Sequence, residues 1–448
     1  MEEKNIKSII EYFEKLEEMV MPSRQMTPEE SLLYYYMKED RSVSVVQEIS
    51  LAEPIDIDVM QHALTLTIKR FPYFKVKAVF INDRPYYVHN DKPLLLYKKY
   101  ENGASFRHDE NNGYLFRFEV DGNKLFMYNA HSLTDGRGKL PLVQTLLTLY
   151  YGLMGIENSS NYDSRYLTMP DDIEQEWANP FEQLDKEVPN IQFNTNMTSC
   201  FMPPVTPDAR KRTFAYCMEI PVNDLMGYCK RVGGTPNTFL ASALAEAIHK
   251  VHPNCYDSGS EIKIGVIMDT KPFINSSLSS ICAFTMAVLP FSEQRKKLSE
   301  NEFHSSLKRE LREQATPESM AVSAKFLEYT GGLLQTLPAP ARRMMAEFNV
   351  KTFFKGAVTA AVSYAGQSKL GDISSHVEHV RAVVESSFFD ILMEVNCTED
   401  LFCVAIAQSF DTLEYVYAFK EYLTEVGIRY FDRSLLVVPQ IPFSVHEE

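Results

Sequence analysis

The segment Leu125-Phe-Met-Tyr-Asn-Ala-His131-Ser-Leu-Thr-Asp135-Gly136-Arg-Gly138 carries the strongest pattern in the sequence. An apolar run leads to a histidine, and an aspartate, two glycines and the apolar periodicity of a helix follow. This order predicts a strand that ends near His131, a turn, and a helix that opens near Gly138. A histidine at such a point can be presented to a cavity, where neutral imidazole is a natural general base near pH 7.

Two interpretations of this segment stay open on the local pattern alone. In the first, Asp135 orders the loop by accepting backbone N–H bonds or by pairing with a basic side chain, and Gly136 lets a substrate pass close to the backbone. In the second, Asp135 only caps the helix, and His131 is a half-buried residue whose hydrogen bonds are satisfied.

Helices and strands are predicted on both sides of the segment. Apolar residues at three- and four-residue spacing predict helices over 5–20, 57–71 and 412–426, and another that opens at Thr235-Pro236. Alternating or short apolar runs predict strands over 74–80, 86–88, 115–120, 124–131, 213–220, 262–268, 285–291, 358–364, 387–396 and 401–408. Asp121-Gly122-Asn123 predicts a hairpin turn. Because no regular βαβ repeat appears, the fold class is α/β or α+β.

The chain is long enough for more than one domain. Its 448 residues predict two or three domains at the usual domain size. Residues 157–212 contain few periodic apolar residues and several Pro, Asn and Asp clusters, which is typical of a long crossover or linker. We therefore predict an N-terminal lobe over 1–180 that carries the His–Asp–Gly segment, a linker over 181–212, and a C-terminal lobe over 213–448.

Composition and charge argue against several classes of protein. A net charge of −15 disfavours bulk binding to nucleic acid or to anionic membranes. Seven cysteines without a CxxC pair predict neither a disulfide framework nor a zinc site, and His376-Val-Glu-His379 is interpreted as solvated loop histidines rather than metal ligands. The sequence shows no signal peptide and no apolar run near the ~20 residues of a membrane span. We expect a cytoplasmic protein without an integral membrane segment.

The segment that ends in Asp135-Gly136 resembles the HxxxDG motif of the chloramphenicol-acetyltransferase-like superfamily. That superfamily includes the condensation domains of peptide synthetases, plant-type and polyketide-associated acyltransferases, and alcohol acetyltransferases. The similarity extends over nearly the whole chain, because weaker matches follow one another in the expected order. They are Ser23–Glu30, Asp58–Phe80, Gly113–Arg117 and Ala361–Gly366.

The resemblance implies two similar lobes, each a mixed β-sheet flanked by helices, with a tunnel between them and His131 midway along it. It implies that His131 is the general base and that Asp135 is mainly structural. The family pairs this aspartate with an arginine; here the matching strand carries lysines, so Lys77 is the expected partner of Asp135. The expected substrate-binding residues are Gly136, Ser363, Tyr364 and Gly366, with Ser363 as a donor to the oxyanion.

The departures from the family patterns narrow the expected function. Ala130 replaces the first of the two histidines of condensation domains, and the plant-type D-F-G-W-G element is missing from the sequence. The sequence is therefore closest in style to the alcohol-acetyltransferase and polyketide-associated group. The resemblance implies transfer of an acyl group other than an aminoacyl group to a small-molecule hydroxyl or amine. The co-substrate would be a thioester of coenzyme A, or of phosphopantetheine on an acyl carrier protein, with no tightly bound cofactor and no metal.

Two alternatives stay open beside this expectation. The first is a condensation-type enzyme whose acyl donor is bound to a carrier protein. The second is a non-catalytic binding protein of the same fold.

Overall fold

The computed structural model describes residues 6–39, 41, 43–99, 104–156, 164–179, 199–269, 271, 286–368 and 370–443. Its α-helices in these ranges are α1 Ile6–Lys15, α2 Pro28–Tyr36, α3 Ile57–Arg70, α4 Leu140–Leu153, α5 Val222–Val232, α6 Pro236–Val251, α7 Glu300–Gln314, α8 Pro317–Thr336, α9 Ala339–Val350 and α10 Glu414–Glu425. None of these helices is both long and apolar enough to cross a lipid bilayer.

The strands of the described ranges form three sheets. They are β1 Arg24–Gln25, β2 Ser44–Leu51, β3 Val76–Ile81, β4 Arg84–His89, β5 Leu96–Lys98, β6 Phe116–Asp121, β7 Lys124–Ala130, β8 Thr213–Pro221, β9 Ile262–Ile267, β10 Met286–Phe291, β11 Ala360–Gln367, β12 Val377–Val384, β13 Ile391–Cys397, β14 Leu401–Gln408 and β15 Phe431–Val438. The sheet orders are β1-β4-β3, β12-β2-β7-β6-β5 and β10-β9-β11-β13-β14-β8-β15.

The five-stranded sheet holds the strand that leads into the His–Asp–Gly segment. β6 and β7 form the predicted hairpin, in which Asp121 pairs with Lys124 around Gly122. Gly122 has a φ of +61°, a left-handed conformation that a residue with a side chain rarely adopts. On its other edge β7 pairs antiparallel with β2, which places Ala130 beside Ser44. The last residue of β7 is therefore fixed by neighbours on both sides.

One strand of this sheet comes from the other half of the sequence. β12 pairs antiparallel with β2, and Val384 lies opposite Val45. The pairing between β12 and β2 continues one residue beyond β12, where the Glu385 N–H donates to the Ser44 carbonyl over 3.0 Å. The C-terminal half of the chain thus completes the N-terminal sheet. The division into 1–180, 181–212 and 213–448 stays a prediction.

The seven-stranded sheet is the core of the C-terminal half. β11 is parallel to both of its neighbours, β9 and β13, whereas the other pairings of this sheet are antiparallel. α6 and α10 cover it with apolar faces that include Leu240, Leu244, Val416 and Phe419, all fully buried. Mixed sheets flanked by helices confirm the predicted fold class.

The family-like match over Ser23–Glu30 contains β1 of the small third sheet and the beginning of α2. Thr27 caps α2 by accepting from the Glu30 N–H over 3.2 Å, and Glu30 accepts in return from the Thr27 N–H over 2.7 Å. Arg24 of β1 forms a two-pronged ion pair with the same carboxylate, at 3.0 and 2.7 Å. The pattern of Arg, Thr and Glu is therefore a local anchor for α2.

Candidate active site

The His–Asp–Gly segment forms the predicted strand, turn and helix. β7 ends at Ala130, and the His131 N–H donates to the Val43 carbonyl over 2.9 Å. α4 begins at Leu140, and its N-cap is Lys139 rather than Asp135. The interpretation of Asp135 as the helix cap is therefore wrong, and the aspartate belongs to the turn itself.

The His131 ring has a fixed orientation and is held neutral. It hydrogen-bonds to its own backbone carbonyl. Nδ1 is the ring nitrogen nearer to the backbone, so this contact favours the tautomer that has the proton on Nδ1 and an unprotonated Nε2. Burial lowers the pKa of His131 below its usual value, an effect that outweighs the opposing influence of Asp135. A neutral imidazole with an unprotonated Nε2 is the form that general-base catalysis requires.

Asp135 orders the turn through two partners. Its Oδ1 accepts from the Gly138 N–H over 2.6 Å, and its Oδ2 forms an ion pair with the Lys271 ammonium. The expectation that Lys77 is the partner of Asp135 is therefore wrong. Lys77 lies on β3, opposite Val88 in the small third sheet, whereas Lys271 follows β9 of the seven-stranded sheet.

A second cation joins the same turn to the C-terminal half. The Arg137 Nε donates to the Ala365 carbonyl over 3.0 Å, and its Nη1 pairs with the Asp269 carboxylate over 3.1 Å. Gly366 has a φ of +95°, and a Cβ there would lie 3.2 Å from Arg137 Nη2. Gly366 thus allows the guanidinium to approach the backbone of β11.

Two parallel strands form the opposite wall of the site. Ser363 of β11 and Glu394 of β13 are register neighbours, and the Ser363 hydroxyl hydrogen-bonds to the Glu394 carboxyl. Side chains alternate along a strand, so Tyr364 points away from Ser363. The Tyr364 ring packs on Phe402 in the C-terminal core, with 5.7 Å between ring centroids.

A cavity of about 70 Å³ lies between the two walls. The N-terminal half contributes Val45, His131, Gly136 and Lys139. The C-terminal half contributes apolar residues and a few polar ones: Ile267, Phe354, Ser363, Ala365, Ala382, Val384, Phe388, Phe389, Leu392, Glu394 and Asn396. Of the predicted site residues, His131, Gly136 and Ser363 line this cavity. The described lining residues do not include Asp135, Tyr364 or Gly366.

Two ionisable residues in this lining were not predicted from the sequence. Burial raises the pKa of Glu394 to about 8 and lowers the pKa of Lys139 to about 8. Their signals are visible in retrospect: Lys139 directly precedes an apolar helix, and Glu394 interrupts the apolar strand Ile391–Cys397. Asn396 interrupts the same strand two residues later, on the same face.

The expectation that the paired histidines are solvated loop residues is wrong for His379, which lies on β12 with its side chain 17% exposed. His376 contacts Glu53 over 3.3 Å, and His379 contacts Glu219 over 2.5 Å. Within the described ranges, no group of three or more His, Cys, Asp or Glu residues has an arrangement that would hold a metal ion.

Comparison with solved structures identifies the fold. The condensation domain of the monacolin K polyketide synthase MokA superposes with a TM-score of 0.59 at 13% identity, covering 91% of this chain and 97% of that one. The trichothecene 15-O-acetyltransferase TRI3 from Fusarium sporotrichioides gives 0.56 at 12% identity, covering 90% and 95%. TRI101 of F. graminearum, complexed with coenzyme A and T-2 mycotoxin, gives 0.57 at 12% identity, covering 92% and 100%.

The chain therefore has the fold of the chloramphenicol-acetyltransferase-like and condensation-domain proteins, as the resemblance implied. Sequence comparison adds nothing to this assignment: no protein-family model matches the chain, and no curated protein matches it significantly.

Proposed function

We propose that this chain is an acyltransferase that moves an acyl group from a coenzyme A thioester to a hydroxyl or amine acceptor, with His131 as the general base. The observation that carries the proposal is the His131 ring. It is neutral, oriented by its own carbonyl, and exposed to a cavity between the two halves of the chain. Solved structures of the same fold include an O-acetyltransferase and a complex with coenzyme A, which supports this donor class.

In the proposed reaction, His131 Nε2 removes the proton of the acceptor hydroxyl or amine while that atom attacks the thioester carbonyl carbon. The carbonyl π electrons move to oxygen and form the tetrahedral oxyanion. When this intermediate collapses, the C=O bond forms again and the C–S bond breaks. The departing thiolate takes the proton from the imidazolium, so that free thiol leaves and His131 is neutral again. A positioned base of this kind contributes roughly 10²–10⁴-fold to the rate.

Ser363 is the proposed donor to the oxyanion. Its pKa of about 8 keeps the Glu394 carboxyl mostly protonated at neutral pH. A neutral carboxyl can donate its proton to the Ser363 oxygen, which leaves the serine hydroxyl proton available for the substrate oxygen. Asp135 is not among the residues that line the cavity, and its proposed role is to hold the turn that carries His131 and Gly136.

The test is release of free thiol from a panel of acyl-CoA thioesters in the presence of pooled alcohols and amines. We expect acceptor-dependent release by the wild type and a loss of at least ~100-fold in His131→Ala. His62→Ala is the matched control, because His62 is half-exposed on α3 and does not line the cavity. Full activity of His131→Ala would refute the proposal.

A carrier-bound donor is the second candidate, because a condensation domain is among the solved structures of this fold. If the wild type releases no thiol from any acyl-CoA, the same assay with acylated phosphopantetheinyl carrier proteins distinguishes this candidate from a non-catalytic binding protein. Turnover with acylated carriers would support it, and inactivity with both donors would favour the binding protein.

A further inference from the structure

Four polar side chains line one part of the cavity, whose remaining lining is mostly apolar. We call Lys139, Ser363, Glu394 and Asn396 the polar cluster. Lys139, Glu394 and Asn396 are 2%, 7% and 3% exposed, so each is more than nine-tenths buried. Buried groups of this kind are costly unless each has a partner.

The partners inside the protein satisfy only part of the cluster: Glu394 is hydrogen-bonded to Ser363, whereas Lys139 and Asn396 are poorly partnered. In the described ranges the Lys139 ammonium has one hydrogen bond, a long one of 3.5 Å to Asn129 Oδ1. Lys139 and Glu394 line the same cavity and attract each other, but no ion pair joins them directly among the described contacts. The Asn396 Nδ2 is buried without a hydrogen-bond partner. A buried polar atom without a partner requires an explanation, and a bound group that completes its hydrogen bonds is one.

We propose that the polar cluster binds a second hydroxyl group of the substrate, distinct from the group that is acylated. This inference rests on the proposed acyl transfer. A hydroxyl oxygen accepts from Lys139 or Asn396, and its proton is donated to Glu394, so one small group satisfies both kinds of partner. The attacking hydroxyl cannot have this role, because it has a single proton and that proton goes to His131.

The size of the cavity restricts where the second hydroxyl lies. A volume of about 70 Å³ holds a few water molecules, so the two groups must be close in the substrate. The substrate class is therefore a 1,2- or 1,3-diol as the acceptor, or a short hydroxyacyl thioester as the donor. Both sources present the same hydroxyl chemistry to the cluster.

The experiment compares matched substrates with and without the second hydroxyl. Hexane-1,2-diol is compared with hexan-1-ol as the acceptor, and 3-hydroxybutyryl-CoA with butyryl-CoA as the donor. We expect the hydroxylated member of one pair to have a kcat/KM at least ~10-fold higher in the wild type, because a site built for a hydroxyl discriminates against its absence. The pair that shows this preference identifies the source. Equal kcat/KM values in both pairs would overturn the inference while leaving the proposed function intact.

Variants of the cluster test its role in that preference. Lys139→Met and Asn396→Leu, which lie on different elements, are each expected to reduce the preference at least ~5-fold. Lys77→Met is the matched lysine control, because Lys77 lies on β3 and does not line the cavity. An unchanged preference in both cluster variants, with thermal unfolding showing that they are folded, would overturn the inference.

A binding measurement separates this inference from the proposed function. If neither donor class gives turnover, thermal unfolding of the wild type is followed with each of the four compounds of the two pairs. A larger rise in Tm with the hydroxylated compound, absent from Asn396→Leu, would support the polar cluster even though the proposed function had failed. The same rise in Tm for both members of each pair would overturn it.

Discussion

The Asp135 carboxylate and the Lys271 ammonium form an ion pair that joins the turn of the His–Asp–Gly segment to the loop after β9. Both side chains are largely buried, at 8% and 12% exposure. The pair therefore makes the position of His131 depend on the C-terminal half of the chain.

Asp135→Asn should destabilise the protein by about 2 kcal/mol, because it removes the nearer of the two carboxylates beside the largely buried Lys271 and leaves Asp269 at 3.9 Å. The amide can still accept from the Gly138 N–H, so the turn is expected to form. Chemical denaturation of Asp135→Asn, Lys271→Met and the double variant measures the coupling, which we expect to exceed about 1 kcal/mol. Additive effects with Lys271→Met, or the same coupling with the Lys77→Met control, would contradict the assignment.

The midpoint of the acid limb, in a plot of kcat/KM against pH, should lie below the ordinary pKa of an imidazole. Because burial lowers the pKa of His131 from 6.5, the ring loses its proton at a lower pH and acts as a base there. We expect kcat/KM to rise with pH through a midpoint below 6.5. The profile is measured with an acceptor alcohol whose own ionisation lies far above this range. A midpoint at or above 6.5 would show that the ring is not buried as described.

Glu394 should make the protein less stable as the pH rises from about 5 to about 8. Its pKa is raised from 4.5 to about 8 on folding, so in this window the folded state holds a proton that the unfolded state has released. The free energy of unfolding then falls with pH, by at most about 1.4 kcal/mol per unit for one proton.

Glu394→Gln removes the titrating proton of Glu394. We therefore expect the free energy of unfolding of this variant to fall less steeply with pH than that of the wild type. Urea unfolding at several pH values measures this dependence. The control is Glu399→Gln, which changes a carboxyl in the turn between β13 and β14. A Glu394→Gln variant with the same slope as the wild type would contradict the buried neutral carboxyl.

Gly366→Ala should cost more stability than a glycine substitution in open space. A Cβ at Gly366 would meet Arg137 Nη2 at 3.2 Å with φ at +95°, whereas one at Gly122, with φ at +61°, meets nothing within 4 Å. We expect a loss of about 1 kcal/mol for Gly122→Ala and of about 2–3 kcal/mol for Gly366→Ala. Only Gly366→Ala is expected to lower kcat, because it displaces the side chain next to Gly136. Thermal unfolding and kcat distinguish the two variants, and equal losses would show that Arg137 does not depend on Gly366.

Local patterns were sufficient where neighbours in the sequence determine the structure. The strand, turn and helix around His131 follow from apolar periodicity and glycine positions, and so does the hairpin at Gly122. The partner of Asp135 could not be predicted, because no pattern reports which of 45 Lys and Arg residues lies beside it after folding. The polar cluster was missed for the same reason: Lys139 and Glu394 are far apart in sequence and meet only at the cavity.

Strand β12 was also missed, and its pairing has a consequence for how the protein is made. During synthesis the Ser44 N–H meets its Glu385 carboxylate partner only after 341 further residues have been added. This edge of β2 stays unpaired until β12 has been made, and such edges are prone to pair with other chains. We infer that the five-stranded sheet is completed only after β12 has emerged, and that the yield of the protein depends on how well the nascent chain is protected until then.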